Sequence, residues 1–215
     1  MLAFAHGTSE NPTLRVSTAM NRTQSESFAG KLLIASTLLD ETLFERAVCL
    51  VVQDDEEGTI GLVLNRPLAP QSDQLLSMLT DGGRESEGSE AARPEATLHF
   101  GGPLSGPVVA LHSAAVWAEA ETAEGVYVAA QKDHLQKLLG SSDQAYRLLV
   151  GHAGWSSGQL EAEVAQGHWH VMPASSQAVF APDEAMWPSL VRHACGHSLA
   201  RWVGARHIPL VPELN

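Results

Sequence analysis

Cysteine is scarce in this sequence, with two residues in 215, and this count excludes a disulfide framework. Cys49 lies inside the apolar run AVCLVV and is expected to be a small buried hydrophobe, while Cys195 falls in a predicted helix. Two unpaired thiols are typical of a reducing compartment, so the cysteine content favours the cytoplasm.

Long hydrophobic runs are also missing. No apolar stretch approaches the roughly 18 residues that a membrane-spanning helix needs. The first ten residues, MLAFAHGTSE, contain neither the basic region nor the apolar core of a signal peptide. The sequence therefore predicts a cytoplasmic protein that does not enter a membrane.

Positive charge is in short supply, because 13 Lys and Arg face 25 Asp and Glu and leave a formal net charge of −12. Proteins bind phosphate backbones chiefly through Lys and Arg, so direct nucleic-acid binding is disfavoured. The sequence also lacks a Walker loop, a Rossmann fingerprint and a kinase signature. It predicts no cofactor.

The length suits one domain, which can bury most of its apolar surface. Residues 1–27 are rich in Ser, Thr and Asn without periodicity, which predicts a flexible N-terminal tail, although Met20 is an alternative start. Residues 28–215 are predicted to form a single domain. The polar stretch DGGRESEGSEAARPE at residues 81–95 is predicted to be an insertion loop within it.

Short strands in pairs, mixed with isolated helices, predict an α+β or mixed-sheet domain. The most informative stretch is Tyr146–Met172, which reads as a strand, a glycine loop over Gly151–Gly158, a helix and a second strand. Within it, Ser156 and Gln159 have the spacing of a capping box. The other predicted strands are Lys31–Ser36, Ala47–Gln53, Thr59–Leu64, Thr97–Phe100, Pro107–His112 and Val126–Ala129.

Three further helices follow from the same patterns. Leu75, Leu76 and Leu79 give one short amphipathic helix. Asp133 is predicted to cap a second helix that ends at Gly140. The C-terminal part reads as one broken helix or two abutting helices, with Pro188 in the first turn of the second.

Several sequence stretches resemble the bacterial YqgE/AlgH family of uncharacterised proteins from about residue 30 to residue 187. They are GKLLIASTLLDETLFERAVCLVVQ, GTIGLVLNRPL, HFGGPLSGPVVALH, RLLVGHAGWSSGQLEAEVAQGHWHVMPA and VFAPDEAMW. The resemblance implies an α+β fold with a bifurcated mixed β-sheet, a small β-barrel and flanking helices. It implies no enzyme activity, cofactor or catalytic residue. Only the name of the family suggests a role in transcriptional regulation. Thr37 and His152 depart from the family pattern, so a role for His152 gains nothing from it.

A binding groove is predicted where glycine loops meet strand ends. Arg66 could anchor a carboxylate or phosphate there, with the backbone N–H groups of Gly101 and Gly102 as further donors. In the alternative interpretation the glycines only form turns, Arg66 pairs with a nearby acidic residue and Trp155 is a core anchor. The candidate groove residues are Asn65, Arg66, Gly101, Gly102, Pro103, His152, Gly154, Trp155 and Gln159.

Two chemical alternatives stand beside a purely structural interpretation. GWSSG around Ser156 matches the pattern of a hydrolase nucleophile elbow, with Asp183 or Glu184 and then His193 or His197 downstream. Ser156 as a helix cap explains the same residue. The histidine pairs His168/His170 and His193/His197 have ligand spacing for a metal, but no second motif accompanies them. Neither a catalytic residue nor a metal site is predicted.

The sequence thus favours a non-enzymatic cytoplasmic binding or regulatory protein whose partner is an unidentified protein or small ligand. The first alternative is a DNA-associated transcriptional regulator, which the charge of −12 opposes. The second alternative is a serine hydrolase that uses Ser156.

Overall fold

The computed structural model describes residues 27–68, 97–141 and 144–203, with side chains described up to residue 196. The predicted tail, apart from residue 27, lies outside these ranges, as do the predicted helix around Leu75 and the insertion loop at residues 81–95. The side chain of His197 also lies outside them, so the predicted His193/His197 pair is not described as a pair.

The described residues form strands and helices that alternate irregularly along the chain. The strands are β1 (Lys31–Ala35), β2 (Val48–Asp54), β3 (Gly58–Val63), β4 (Leu98–Phe100), β5 (Leu104–His112), β6 (Ala120–Ala123), β7 (Val126–Ala129), β8 (Tyr146–Ser156) and β9 (Trp169–Pro173). The helices are α1 (Lys132–Leu139), α2 (Gln159–Ala165), α3 (Ser176–Val179) and α4 (Asp183–Val203), and there are 3-10 turns at Thr37–Leu39 and Ala115–Trp117. Within the described ranges, no helix is both long enough and apolar enough to cross a lipid bilayer.

In the described part of the chain the nine strands form one sheet in the order β6-β7-β5-β8-β3-β2-β1-β9, and β4 branches off through β8. The β4–β8 pair is parallel and the other pairs are antiparallel, so the sheet is mixed and bifurcated. The sheet curls into half a barrel, and a β carbon placed on Gly30 would lie 2.6 Å from the carbonyl oxygen of Thr122 in β6. The predicted α+β fold with flanking helices is therefore confirmed.

Both faces of the central strands are buried, which explains the continuous apolar run of β2. Leu32 and Leu50 point into one cluster, which α3 and α4 cover with Val179, Met186 and Leu190. The alternate residues of β1 and β2, Cys49 among them, point into a second cluster beneath α2. Burial raises the pKa of the Cys49 thiol to about 12, as expected for a thiol enclosed by apolar side chains.

The main correction to the predicted elements concerns β8, which continues through the stretch that was predicted to be a glycine loop. Leu148–Val150 pairs with β4 and β5, whereas Ala153–Ser156 pairs with β3. Gly151 has a φ of 74° at the point between these two pairings. Gly151 therefore lets β8 change pairing partners and does not end the strand.

Ser156 is also not a helix cap, because it is the last residue of β8 and the cap position of α2 is Gly158. Half of the predicted capping box is present, since the Ser156 backbone N–H donates to Gln159 Oε1 at 3.0 Å. The Ser156 hydroxyl donates to the same oxygen at 3.2 Å instead of accepting from a helix N–H.

Two further predictions at helix ends were wrong. Asp133 makes no cap because α1 begins at Lys132 and Gln131 occupies the cap position. Glu119, just before β6, accepts the backbone N–H groups of Ala130 and Gln131 ahead of the helix. Pro188 lies inside the single continuous helix α4 instead of opening a second helix.

Candidate functional site

A cavity of about 300 Å³ opens where β4, β8 and the start of α4 meet. Three polar residues form its floor: His99 from β4, Arg147 from β8 and Asp183, the first residue of α4. The pairing of β4 with β8 and the cover that α4 gives the half-barrel bring them together. The full lining is Thr97, His99, Tyr146, Arg147, Phe180, Ala181, Pro182 and Asp183.

Arg147 is the most extensively bonded of the three, although it is only 7% exposed. Its Nε donates to the carbonyl oxygen of Val179 at 3.3 Å, and its Nη2 donates to that of Ala181 at 2.8 Å. Its Nη1 donates to the carbonyl oxygen of Leu64 at 2.9 Å and to the carboxylate of Asp183. A buried guanidinium is tolerated only when its donors are satisfied in this way.

His99 is held on both ring nitrogens. Its Nδ1 lies 3.3 Å from the carbonyl oxygen of Leu148. Its Nε2 lies 2.6 Å from Arg147 Nη1 and 3.0 Å from Asp183 Oδ2, so each ring nitrogen has an acceptor oxygen beside it that can receive the single proton of the neutral ring. Burial and the neighbouring Arg147 charge lower the pKa of His99 below its usual value, and Asp183 counteracts them only in part. The imidazole is therefore neutral at pH 7.

Asp183 is the charged group on the floor that is open to the cavity. Its side chain is 24% exposed, against 8% for Arg147 and 6% for His99. Tyr146 and Phe180 add aromatic side chains to the same cavity lining, and burial raises the pKa of the Tyr146 hydroxyl. The cavity thus combines a carboxylate acceptor and two aromatic side chains with a buried arginine and histidine.

The predicted groove is only partly assembled. Gly101 and Gly102 lie directly against the backbone of β8, where a β carbon on Gly102 would come within 2.2 Å of the His152 carbonyl carbon. The Leu104 side chain packs against Gly154 of β8. Pro103, which lies between Gly102 and Leu104 in the sequence, is exposed. The Gly101 N–H donates to the carbonyl oxygen of Val150 at 2.8 Å, so this group is not available to an anion.

The side chains of Asn65 and Arg66 form hydrogen bonds with the backbone at the start of β2 and just before it. Asn65 accepts from the Val48 N–H and donates to the carbonyl oxygen of Arg46, both at 2.9 Å. The Arg66 guanidinium donates to the carbonyl oxygen of Glu45. Both side chains therefore tie two strand ends together.

Trp155 and Gln159 lie apart from the glycine contacts. Trp155 is 5% exposed in the cluster beneath α2, on the face of β8 opposite to His152 and Gly154. Its indole N–H donates to Glu163 Oε2 at 3.0 Å. Gln159 accepts from Ser156 and donates to Glu163 Oε1 at 2.9 Å. Ligand binding by the nine groove residues stays a prediction.

The chemical alternatives find little geometry to support them. The Ser156 hydroxyl donates to the amide oxygen of Gln159, not to an imidazole. His168 precedes β9 and His170 lies within it. In the described ranges, no three His, Cys, Asp or Glu side chains are arranged to hold a metal ion.

The sequence reasoning missed the cavity floor. His99 and Asp183 are 84 residues apart along the chain, and no local spacing connects them. One signal was available: His99, Arg147 and Asp183 each lie in a different stretch among those that carry the family resemblance, HFGGPLSGPVVALH, RLLVGHAGW and VFAPDEAMW.

Comparison with known proteins gives consistent matches along most of the chain. The sequence model of the AlgH-like family matches residues 32–198. A UPF0301 protein from Chlorobaculum tepidum is 34% identical over 193 residues, which cover 86% of this chain and 95% of that protein. A UPF0301 protein from Shewanella denitrificans is 34% identical over 167 residues, covering 75% of this chain and 88% of that protein.

Two solved structures share the fold. The solution structure of the AlgH protein from Pseudomonas aeruginosa matches with a TM-score of 0.63 at 22% identity, covering 88% of this chain and 100% of that one. A crystal structure of a Corynebacterium diphtheriae protein matches with a TM-score of 0.61 at 23% identity, covering 79% of this chain and 88% of that one.

Proposed function

The chain belongs to the AlgH-like family, and on that premise we propose that it is a non-enzymatic binding protein whose small ligand occupies the cavity over His99, Arg147 and Asp183. The observation that carries the proposal is the largely buried ion pair of Arg147 and Asp183 in the lining of an open cavity. Buried ion pairs seldom stabilise a fold more than apolar side chains of the same volume would. A charged floor with a displaced histidine pKa is instead typical of binding and active sites.

Several observations favour binding over catalysis. The Nδ1 of His99 contacts the Leu148 carbonyl, and its Nε2 contacts Arg147 and Asp183, so neither nitrogen is free to exchange a proton with a ligand. Cys49 is buried with a pKa of about 12, which keeps it a thiol. Ser156 donates to an amide oxygen and lacks the hydrogen-bonded base that activates a nucleophile.

The cellular setting that we propose is regulation in the cytoplasm, with a small ligand in the cavity or a protein partner at the surface. Two free cysteines support the cytoplasmic assignment, Cys49 being buried and Cys195 exposed. The charge of −12 supports a regulator that acts without touching DNA.

A fragment screen by amide chemical shifts tests the proposal. Uniformly ¹⁵N-labelled protein is titrated with small polar fragments, and we expect hits to shift the backbone amides of Thr97, His99, Tyr146 and Phe180. The variant Ala181→Phe places a ring in the cavity, and Arg147 keeps its hydrogen bond because it uses only the backbone oxygen of residue 181. We therefore expect this variant to fold and to lose the fragment-induced shifts.

The matched control is Ala162→Phe, which adds the same ring at an exposed position of α2 that does not line the cavity. It should bind fragments like the unmodified protein. The proposal is wrong if no fragment shifts the cavity amides, or if Ala181→Phe binds as well as the control does.

A further inference from the structure

We infer that the ligand of this cavity carries an organic cation, a guanidinium or an alkylammonium group, that pairs with the Asp183 carboxylate. This inference rests on the proposed function and adds the chemical class of the ligand. Three features support it: the accessibility of the charges on the floor, the aromatic side chains beside them and the charge around the start of α4.

The two charged residues of the cavity floor differ in how accessible they are to a ligand, and Arg147 is the less accessible. A guanidinium has five N–H groups, and those of Arg147 serve the carbonyl oxygens of Val179, Leu64 and Ala181 and the Asp183 carboxylate. At most one N–H is left in the described hydrogen bonds. An anionic ligand would therefore meet one buried donor, with the Asp183 charge beside it.

The Asp183 carboxylate, in contrast, has acceptor capacity to spare. Two carboxylate oxygens can accept about four hydrogen bonds, and the described donors within reach are the Nη1 of Arg147 and the Nε2 of His99, which lies 3.0 Å from Oδ2. Even with a proton on Nε2, about half of the acceptor capacity stays unused. The side chain is 24% exposed, so a ligand N–H group can reach the unused lone pairs.

Tyr146 and Phe180 line the same cavity. The faces of aromatic rings attract cations, and the attraction grows when water is excluded. A cavity lined by a carboxylate and two aromatic rings thus favours a flat or compact organic cation over a neutral ligand of the same shape.

The charges around the start of α4 also favour a positively charged ligand. Asp183 and Glu184 both lie in the first turn of α4, where their charges offset the positive end of the helix dipole. The chain as a whole carries −12, which raises the local concentration of cations near its surface.

Three probes of similar size test the inference on the unmodified protein: ethylguanidinium chloride, N-ethylurea and sodium propionate. The first two have the same shape and differ in charge. We expect ethylguanidinium to shift the amides of Tyr146 and Phe180 and to bind at least about tenfold more tightly than N-ethylurea, as a partly buried charged hydrogen bond requires. Propionate should produce no shifts at these positions.

Variants locate the charge that is recognised. Asp183→Asn should weaken ethylguanidinium binding by about tenfold and weaken N-ethylurea binding clearly less, whereas the control Glu184→Gln should change neither. If Asp183→Asn does not fold, Phe180→Leu carries the test, because it removes an aromatic face and keeps apolar bulk. It should weaken ethylguanidinium binding more than N-ethylurea binding.

The possible failures can be told apart. If N-ethylurea or propionate binds the unmodified protein as tightly as ethylguanidinium does, the cationic class is wrong and the cavity remains a binding site. If none of the three probes shifts the cavity amides while other fragments do, the class is again wrong. If the whole fragment screen also gives no shifts there, the proposed function fails as well.

Discussion

At the scale of single residues, His112 is a polar side chain enclosed completely by the core. It is the last residue of β5, is 0% exposed and lies 6.0 Å from the Tyr127 ring between centroids. Neither ring nitrogen has a hydrogen-bond partner within the described residues, and the Ala114 backbone lies nearby without the geometry of a hydrogen bond. Burial lowers the pKa of His112 below 6.5 because it penalises the charged ring.

This burial makes stability depend on pH in a defined direction. As pH falls below 6.5, the unfolded chain binds a proton at His112 before the folded protein does, so the free energy of unfolding decreases. The window runs from 6.5 down to the lower folded pKa. His99, whose pKa is also lowered by burial, adds a decrease of the same sign.

Two substitutions separate titration from the cost of unpaired polar atoms. We expect His112→Leu to raise the free energy of unfolding at neutral pH by about 1 kcal/mol, since it removes unsatisfied polar atoms. It should also shrink the loss of stability on acidification. His112→Asn should shrink that loss without the gain at neutral pH. Urea denaturation at about pH 7 and about pH 5 measures both effects. An unchanged pH dependence in both variants would contradict the assignment.

At the scale of secondary-structure elements, the segment that leads into helix α1 is held by a side chain from outside the helix. Glu119 Oε1 accepts the N–H groups of Ala130 and Gln131, at 3.0 and 2.8 Å, and lies 3.0 Å from His134 Nδ1. Desolvation alone would raise the pKa of Glu119, but these hydrogen bonds outweigh it and hold the pKa below 4.5. The Glu119 carboxylate therefore contributes stability above the unfolded value of 4.5, and this contribution is lost as pH falls through the folded pKa.

Glu119→Ala tests this contribution. We expect the free energy of unfolding at neutral pH to fall by about 1 kcal/mol, as when a carboxylate that accepts backbone N–H groups is removed. The difference from the unmodified protein should vanish in acid. Asp133→Ala is the control, because Asp133 is an acidic residue in the first turn of α1 without a capping role, and its loss should cost only a few tenths of a kcal/mol. Equal losses in urea denaturation would show that the Glu119 hydrogen bonds do not stabilise the start of α1.

A second element-scale dependence is the close packing of the β4–β5 loop on β8. Gly102 has a φ of 151°, and a β carbon there would lie 2.2 Å from the His152 backbone. We expect Gly102→Ala to cost about 3 kcal/mol or more, since the clash adds to the strain of a positive φ.

The matched control for this substitution is Gly158→Ala. Gly158 has a φ of 80°, but a β carbon added there would have nothing within 4 Å, so the variant should lose only about 1 kcal/mol from strain. Urea denaturation compares the two variants, and similar losses would mean that contact with β8 does not matter.

Sequence patterns predicted the elements whose signals are local. Lys31–Ser36 and Ala47–Gln53 were predicted as strands, and the structure places β1 and β2 there within one or two residues. The glycines of β8 were misinterpreted because a glycine that permits close packing looks the same in sequence as one that forms a turn. The contact of Glu119 with the start of α1 could not be predicted because Glu119 lies eleven residues before Ala130, on the far side of β6 and β7.

At the scale of the whole molecule, net charge limits the partners. With −12 on 215 residues, the protein should not retard DNA in a gel at about 10 µM protein and about 50 mM salt, conditions that favour non-specific binding. A basic DNA-binding protein in the same gel serves as the positive control. A retarded band that weakens as salt is raised would support the DNA-associated alternative instead.

The contacts among the residues of the cavity floor could not be predicted from the sequence. The resemblance implied the fold, and the fold is what brings β4, β8 and α4 to one place. Nothing in the chain near His99 indicates that Arg147 and Asp183 will contact it, since only the parallel β4–β8 pairing and the path of α4 create that contact. Charge and hydrogen-bond geometry at such a point are properties of the assembled molecule.

The eleven residues of β8 join two parts of the sheet. The strand begins with Tyr146 and Arg147 at the cavity and ends with Ser156 beside β3. Neither part of the sheet can fray along β8 without loosening the other, so the two parts should melt in one cooperative transition. A ligand bound in the cavity would then slow amide hydrogen exchange as far away as the Ser156 end.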